Sequence, residues 1–513
     1  MRLGRQPVPR NPGGGAECPI SMRSTCARVV LCVQVGLCAA ATSTEGQGTA
    51  GAGVAPHLLV VTSDARGGNC ASLGLESPWP ARTGLEPVGV QPVARHFLGL
   101  HYVVDRRLGD IQVIDPATFR TIRRLSLGTG SEPRDIRVVS PRIAYVTLYN
   151  SAHLVKIDPS TGETLGGVDL TPLADADGLP EMAMMALHEN LLFVQVQRID
   201  RLQSGNPVPP SYLAVVDIDT DRLLDVDPAT PGIQGVRLHG TIPDFKMHVE
   251  PRSRRLFVST PGPLLDTSGG IEEIDLTTLR SSILLPGEQA IGDLGAFVMV
   301  SRDEGYALGH TDLTASSHLF RFTRAAGRTG PEFYVTFTIV ESLAYDPIGR
   351  LIFFPDSSPE VLGVHIFDAA SGERLTSSPL LTGLPPRDLA IARPTTPGEA
   401  SGLFIDGIDP QTGRLSISHR PACGAADHTL VWGRLEDLRM YRYSGQACGI
   451  GADGKHSLPD PGDGVWFFLV VGNDGVSIEG SYGADSGGKE RPEDAADPVC
   501  PLTQNLTFAC DTL

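Results

Sequence analysis

Basic residues are in short supply in this 513-residue chain: 42 Lys and Arg stand against 59 Asp and Glu, a formal charge of −17. A surface of that sign repels phosphate backbones and anionic headgroups, which excludes nucleic acid and a bare anionic membrane as partners. Long apolar runs are missing as well. The best candidate, Val29 to Ala41, is too short to span a bilayer as an ordinary helix. There is no CxxC pair and no HExxH among the thirteen histidines, and neither a GxxxxGK[ST] loop nor a dinucleotide fingerprint occurs. The commonest zinc and nucleotide chemistries are therefore left without their residues. Asp485-Ser486-Gly487-Gly488 has the look of a serine-protease nucleophile, but no histidine motif precedes it, and it reads as a polar loop.

What is present is a core former rich in turns. Apolar residues make up 41% of the chain and charged ones 20%, enough to fold. Gly (58) and Pro (41) are abundant, as many short strands joined by tight loops require. At the N-terminus, Arg23 and Arg28 precede the apolar stretch and Ala39, Ala40 and Ala41 follow it, a signal-peptide pattern over 1–41 with Met22 as the expected start. Val35-Gly36-Leu37-Cys38 also approximates a lipobox, so Cys38 is a lipidation candidate and the only expected link to a membrane. Residues 42–56 read as a linker. Of nine cysteines, Cys423, Cys448, Cys500 and Cys510 cluster near the C-terminus, and in an exported chain they imply two disulfides. Three connectivities are open; Cys423 with Cys448 and Cys500 with Cys510 is the preferred one.

One unit recurs through the middle of the chain. Its fullest copy is Ala144-Tyr145-Val146-Thr147, then His153-Leu154-Val155-Lys156-Ile157, then the turn Asp158-Pro159-Ser160-Thr161-Gly162. The aspartate accepts backbone hydrogen bonds, proline presets the bend and glycine supplies a positive φ. Anchored on that aspartate or its equivalent, the copies fall at 115, 158, 217, 275, 322 and 368, a period suited to four-stranded propeller blades. His57 to Thr62 lacks a preceding first strand, while Pro386 to Ala392 is a first strand with nothing after it. Joined, they leave no sheet edge exposed. The expectation is an all-β chain with a seven-bladed propeller over 57–395, closed by one blade shared between its ends.

Tyr145-Val146-Thr147 with Lys156-Ile157-Asp158-Pro159-Ser160-Thr161-Gly162 resembles the YVTN-repeat β-propellers, and Asp175 to Met182 resembles their bacterial exported or lipoprotein members. The resemblance implies the propeller and leaves the activity open, because that architecture hosts binding proteins, lactonases and oxidoreductases. After a linker at 396–402, the runs His428 to Trp432, Met440 to Tyr443 and Val465 to Val471 resemble successive core strands of a fibronectin type III-like sandwich over 403–495. The tail 496–513 is expected to be stapled by the last cysteine pair.

An acid recurs where each first strand begins: Asp135, Glu181, Asp244, Asp293, Glu341 and Asp388, with Arg134 and Arg387 beside two of them. First strands line a propeller's channel, so these side chains are expected to ring one mouth. Crowded carboxylates are relieved by calcium or another divalent cation, by protonation, or by arginines. Asp175 and Asp177 with Glu181 form a second candidate cation site, though the twelve-residue ligand pattern of an EF-hand does not continue. The alternative is that each acid caps its own turn. Two functions follow: an exported, non-catalytic binding or scaffold protein of the bacterial cell envelope holding a protein or polysaccharide at the channel mouth, or a lactonase-like hydrolase with a divalent cation there.

Overall fold

The computed structural model describes residues 55–506 except 251–252, 264–266, 312–315, 394–396, 398–399, 423, 484–489, 494–499 and 501. The leader, Met22, Cys38, Cys423, Cys510 and the Asp485 loop lie outside the described residues. The chain is all-β and propeller-like. Antiparallel meanders follow one another, each strand pairing with the next in sequence: Pro92–Phe97 to Arg120–Ser126, Pro133–Ser140 to Thr164–Asp169, Met182–His188 to Arg222–Leu223, His248–Glu250 to Arg280–Pro286, Asp293–Ser301 to Gly327–Thr336, and the three-stranded Ala344–Asp346 to Gly363–Asp368. A further sheet has Pro386–Ala392 beside His57–Ser63, then Gly68–Gly74; Val60 faces Leu389 across the first pair.

The recurring aspartate stands at the end of the third strand of its sheet and builds the turn that follows. Asp115 accepts from the Ala117 amide at 3.0 Å, Asp158 from Ser160 at 2.7 Å, Asp275 from Thr277 at 2.8 Å and Asp368 from Ser371 at 2.7 Å. Hydrogen bonds from Thr118, Thr278 and Ser371 hold Asp115, Asp275 and Asp368 below the usual carboxylate range. Four residues past each aspartate the backbone turns left-handed, at Phe119, Gly162, Asp221, Leu279 and Gly372. Glycine fills only two of these five positions. Elsewhere the turn's hydrogen bonds impose the conformation on a residue that disfavours it by about 1–2 kcal/mol.

Both faces of each sheet are apolar and pack on their neighbours. Val104, Ile111, Ile136 and Val146 fill the space between the first two meanders, and Tyr145, Leu154, Val194 and Val216 the next. The pattern continues to Leu58, Val60, Phe353 and Val364, which join the last meander to the shared sheet, and to Leu59, Val61, Ala94 and Val103, which join that sheet to the first.

Beyond residue 400 two smaller sheets pack face to face through Leu415, Ile417, Leu430, Trp432, Trp466 and Phe468. Asp427–Arg434 and Trp466–Asn473 are paired strands, Trp432 facing Phe468. The expected strand Met440 to Tyr443 is not one. Leu435–Met440 forms a short 3₁₀ helix, Tyr441 ends it in the left-handed region, and the strand on that edge is Gly445–Ala447. The preferred disulfide pairing is also overturned: Cys448 is bonded to Cys500. The tail is laid against the larger sheet, where Cys500 is buried with Val431, Val471 and Tyr482, and that docking outweighs the nearness in sequence of the expected partners. Cys70 is a buried free thiol.

Candidate functional site

The first strands of the meanders, and Pro386–Ala392 with them, line a cavity of about 860 Å³. These strands contribute Arg95, Arg137, Met185, His248, Phe297 and Ala390 to the wall, and Lys246 and Leu343 join it from just before His248–Glu250 and Ala344–Asp346. Its rim includes Phe97, Ser253, Arg302 and Pro347, at the turns from first to second strands. That is the end of the strands opposite to the one where the recurring acids stand, and none of the six acids lines the cavity.

Two of the acids clasp neighbouring sheets together beneath it. Asp135 accepts from its own Ile136 amide and from the Met185 amide of the next meander, both at 2.8 Å. Asp388 does the same with Leu389 and Ala94, each at 2.9 Å, and also accepts from Ser342 Oγ at 2.6 Å. Cations close the arrangement. Arg95 Nε lies 2.8 Å from Asp135 and its Nη1 3.6 Å from Asp388, while Lys246 Nζ lies 2.6 Å from Asp388. Burial alone would raise the Asp388 pKa, but Lys246 and Arg95 override it and hold the group below the usual range. Burial likewise depresses Lys246, against the pull of Asp388. Arg95 and Lys246 form part of the cavity floor, with the two acids beneath them and outside its lining.

The remaining candidates are engaged in other ways. Arg134 meets Glu132 at 2.9 Å and Asp244 at 3.8 Å and stacks on Tyr149, whose ring also carries Arg201. Asp244 is raised by burial, against the pull of Arg134 and Arg106. Glu181 lies 2.8 Å from Arg201 Nε and accepts from the Ile199 amide at 3.0 Å, yet burial, with Asp177 and Asp175 nearby, pushes it up to about 7. Asp175 and Asp177 cap a tight turn, accepting from the Asp177 and Leu179 amides at 3.1 and 2.8 Å. Asp293 opens the strand Asp293–Ser301, and Glu341 is exposed. Arg387 donates to the Ser63 carbonyl at 3.1 Å, fastening the shared sheet. Among the described residues no three His, Cys, Asp or Glu side chains gather as metal ligands would. The carboxylate crowding expected at the mouth is relieved at Asp135, Glu181, Asp244 and Asp388 by arginine, lysine and backbone amides.

Sequence reasoning missed the basic residues on the wall and a chain of histidines behind it. Asp135-Ile136-Arg137 and Asp244-Phe245-Lys246 each place a cation two residues beyond the acid, a signal that was available, though only the first triplet lies within a strand. His57 Nδ1 lies 2.9 Å from the Ala55 carbonyl, His57 Nε2 3.0 Å from His101 Nε2, and His101 Nδ1 3.1 Å from His96 Nδ1. A carbonyl only accepts, so neutral His57 carries its proton on Nδ1 and accepts at Nε2. His101 must then donate from Nε2 and accept at Nδ1, and His96 must donate from Nδ1. That leaves the His96 Nε2 lone pair as an acceptor on a residue of the cavity wall. Burial, reinforced by the neighbouring imidazoles, drives His96 down to about 4 and His101 lower still, so the chain is neutral at physiological pH.

No known family matches the chain, and no curated protein matches it in sequence. Among solved structures it is similar to the dihydro-heme d1 dehydrogenase NirN in complex with DHE, at 13% identity over 67% of this chain and 77% of that one, with a TM-score of 0.40. It is similar also to apo AztD from Citrobacter koseri, at 12% identity over 82% and 99% of the two chains and a TM-score of 0.37. Hydrazine synthase of Kuenenia stuttgartiensis matches at 12% identity over 64% and 99%, with a TM-score of 0.43. Likeness at this level carries nothing about chemistry, and the architecture rests on the strand pairing itself.

Proposed function

We propose that this is an exported, non-catalytic binding protein whose ligand enters the central cavity of a seven-bladed propeller, closed by the blade that Pro386–Ala392 and His57–Ser63 share. One observation carries the reading: a cavity of about 860 Å³ walled by the first strands of successive sheets, within the size range of small-ligand sites. It would admit a small molecule or the end of a polysaccharide or peptide. The appended sandwich, read as fibronectin type III-like, would present the propeller to a partner in the cell envelope, and the Cys448–Cys500 disulfide supports an oxidising compartment. The hydrolase reading draws less support. Asp135, Glu181, Asp244 and Asp388, which would hold its cation, are engaged with arginine, lysine or backbone amides.

The test is a melting-temperature screen of the mature protein against neutral sugars, sugar acids, dicarboxylates and divalent cations, run beside Val300→Trp, which places an indole in the cavity wall. A stabilising compound whose effect disappears in Val300→Trp supports the reading. A compound that stabilises both proteins equally puts the site elsewhere.

A further inference from the structure

Resting on that reading of the cavity, we infer that its ligand carries an oxyanion, a carboxylate or phosphate group, and that Arg137 is the counter-charge. Arg137 projects from the strand Pro133–Ser140 into the cavity wall. Its side chain keeps partial exposure yet lies deep among protein atoms, as a group lining an interior cavity does. Its Nε is buried with no hydrogen-bond partner, and none of the ion pairs among the described residues includes it. The guanidinium rests on the Phe97 ring, 4.9 Å from its centroid. The neighbouring cations of the floor are different: Arg95 is matched by Asp135 and Lys246 by Asp388.

Asp135 attracts the guanidinium without forming an ion pair with it, since Arg95 holds that carboxylate, and an incompletely compensated cation deep in a protein is destabilising; a fold keeps one where something else benefits. Burial lowers the Arg137 pKa to about 10, which leaves it charged at neutral pH. A guanidinium stacked on an aromatic ring is held in place and keeps in-plane N–H groups for a bidentate bond to carboxylate or phosphate. The one carboxylate of the wall, Glu250, accepts from the Ser253 amide at 2.7 Å, within its own turn. His96 refines the ligand: its Nε2 lone pair suits a hydroxyl or N–H donor carried near the anionic group.

Titration calorimetry on the full mature chain tests this, with inorganic phosphate, malate and the uncharged dimethyl malate as probes. Saturable binding of phosphate or malate, weakened tenfold or more by Arg137→Gln, less by Arg137→Lys, and abolished by Val300→Trp or Ala390→Phe, is the expected result. Without ligand, Arg137→Gln should melt higher than the wild type, because an unpaired buried charge has gone; a lower melting point with no anion bound would mark Arg137 as structural and overturn the inference. Dimethyl malate binding as tightly as malate, or anion binding indifferent to Arg137→Gln, would overturn it while leaving the cavity as a binding site. If no probe binds, and the screen above also finds no compound sensitive to Val300→Trp, the inference and the underlying reading fall together.

Discussion

Replacing Asp388 by alanine should be among the most damaging single changes in the propeller. The carboxylate holds Lys246 at 2.6 Å, Ser342 at 2.6 Å and the Ala94 amide at 2.9 Å, and Asp388→Ala takes this partner from all three, leaving the lysine its bond to the Leu389 carbonyl but no counter-charge. Removing one member of a buried pair typically costs about 3–5 kcal/mol, since the other charge stays behind uncompensated. In a domain of this size that corresponds to roughly 4–7 °C of melting temperature. Asp388→Asn keeps the shape and part of the hydrogen bonding, so it should fall between alanine and wild type. Lys246→Met should cost less than Asp388→Asn, because Arg95 and two amides still satisfy the aspartate. In the double variant the stranded lysine is gone, and the two losses should fall short of their sum by about 1–3 kcal/mol. Scanning calorimetry, which separates the propeller transition from that of the sandwich, measures all four proteins. The pH dependence has a defined sign: the Asp388 pKa is lower folded than unfolded, so its contribution is complete above the unfolded value and disappears as pH falls through the folded one. Strict additivity, or an alanine variant within 1 kcal/mol of wild type, would refute the argument that these residues act as one buried unit.

Three further outcomes are expected. Glu181 has a folded pKa near 7, above the unfolded value, so its ionisation works against the fold and stability should decline as pH rises from about 5 to 8; Glu181→Gln should flatten that decline in a melting series, and an unchanged slope would count against it. The histidine chain has the opposite sign: His96 and His101 are depressed, so their contribution is complete above the unfolded value near 6.5 and is lost towards pH 4, and His101→Gln should reduce the loss. Cys448 and Cys500 close a loop of 52 residues, for which chain entropy predicts about 4 kcal/mol, so reduction should lower the sandwich's calorimetric transition and leave the propeller's in place.

The turn chemistry was the most legible part of the sequence. An aspartate followed by small polar residues carries its own hydrogen bonds, and it appears at five of the six positions the spacing of the repeat marks, Phe322 being the exception. The same chemistry does not name the fold, since Asp409 to Gly413 makes an equivalent turn between two strands of the sandwich. Pairing of Pro386–Ala392 with His57–Ser63 was legible because each segment lacked a strand that the other supplies. The acids were legible as a recurrence and illegible as a role. Whether a carboxylate at the start of a strand faces a channel or the neighbour's Met185 or Ala94 amide depends on how two sheets are staggered, which no single repeat encodes. For the same reason Arg95 and Arg137, both cations on first strands, gave no hint that one is matched and the other is not. Met440 to Tyr443 alternates like a strand, but a 3₁₀ helix ends at Met440 and Tyr441 turns left-handed, which breaks the extended run.

The sheet that joins both ends of the propeller also orders its synthesis. Val60 leaves the ribosome early, and Leu389, its partner, follows 329 residues later. Until then one edge of His57–Ser63 has no native neighbour, and a bare apolar edge is a template for pairing with other chains. Contacts this distant in sequence also form slowly. Completion of this sheet therefore waits on the last strand, and any truncation before residue 386 should yield a chain that aggregates.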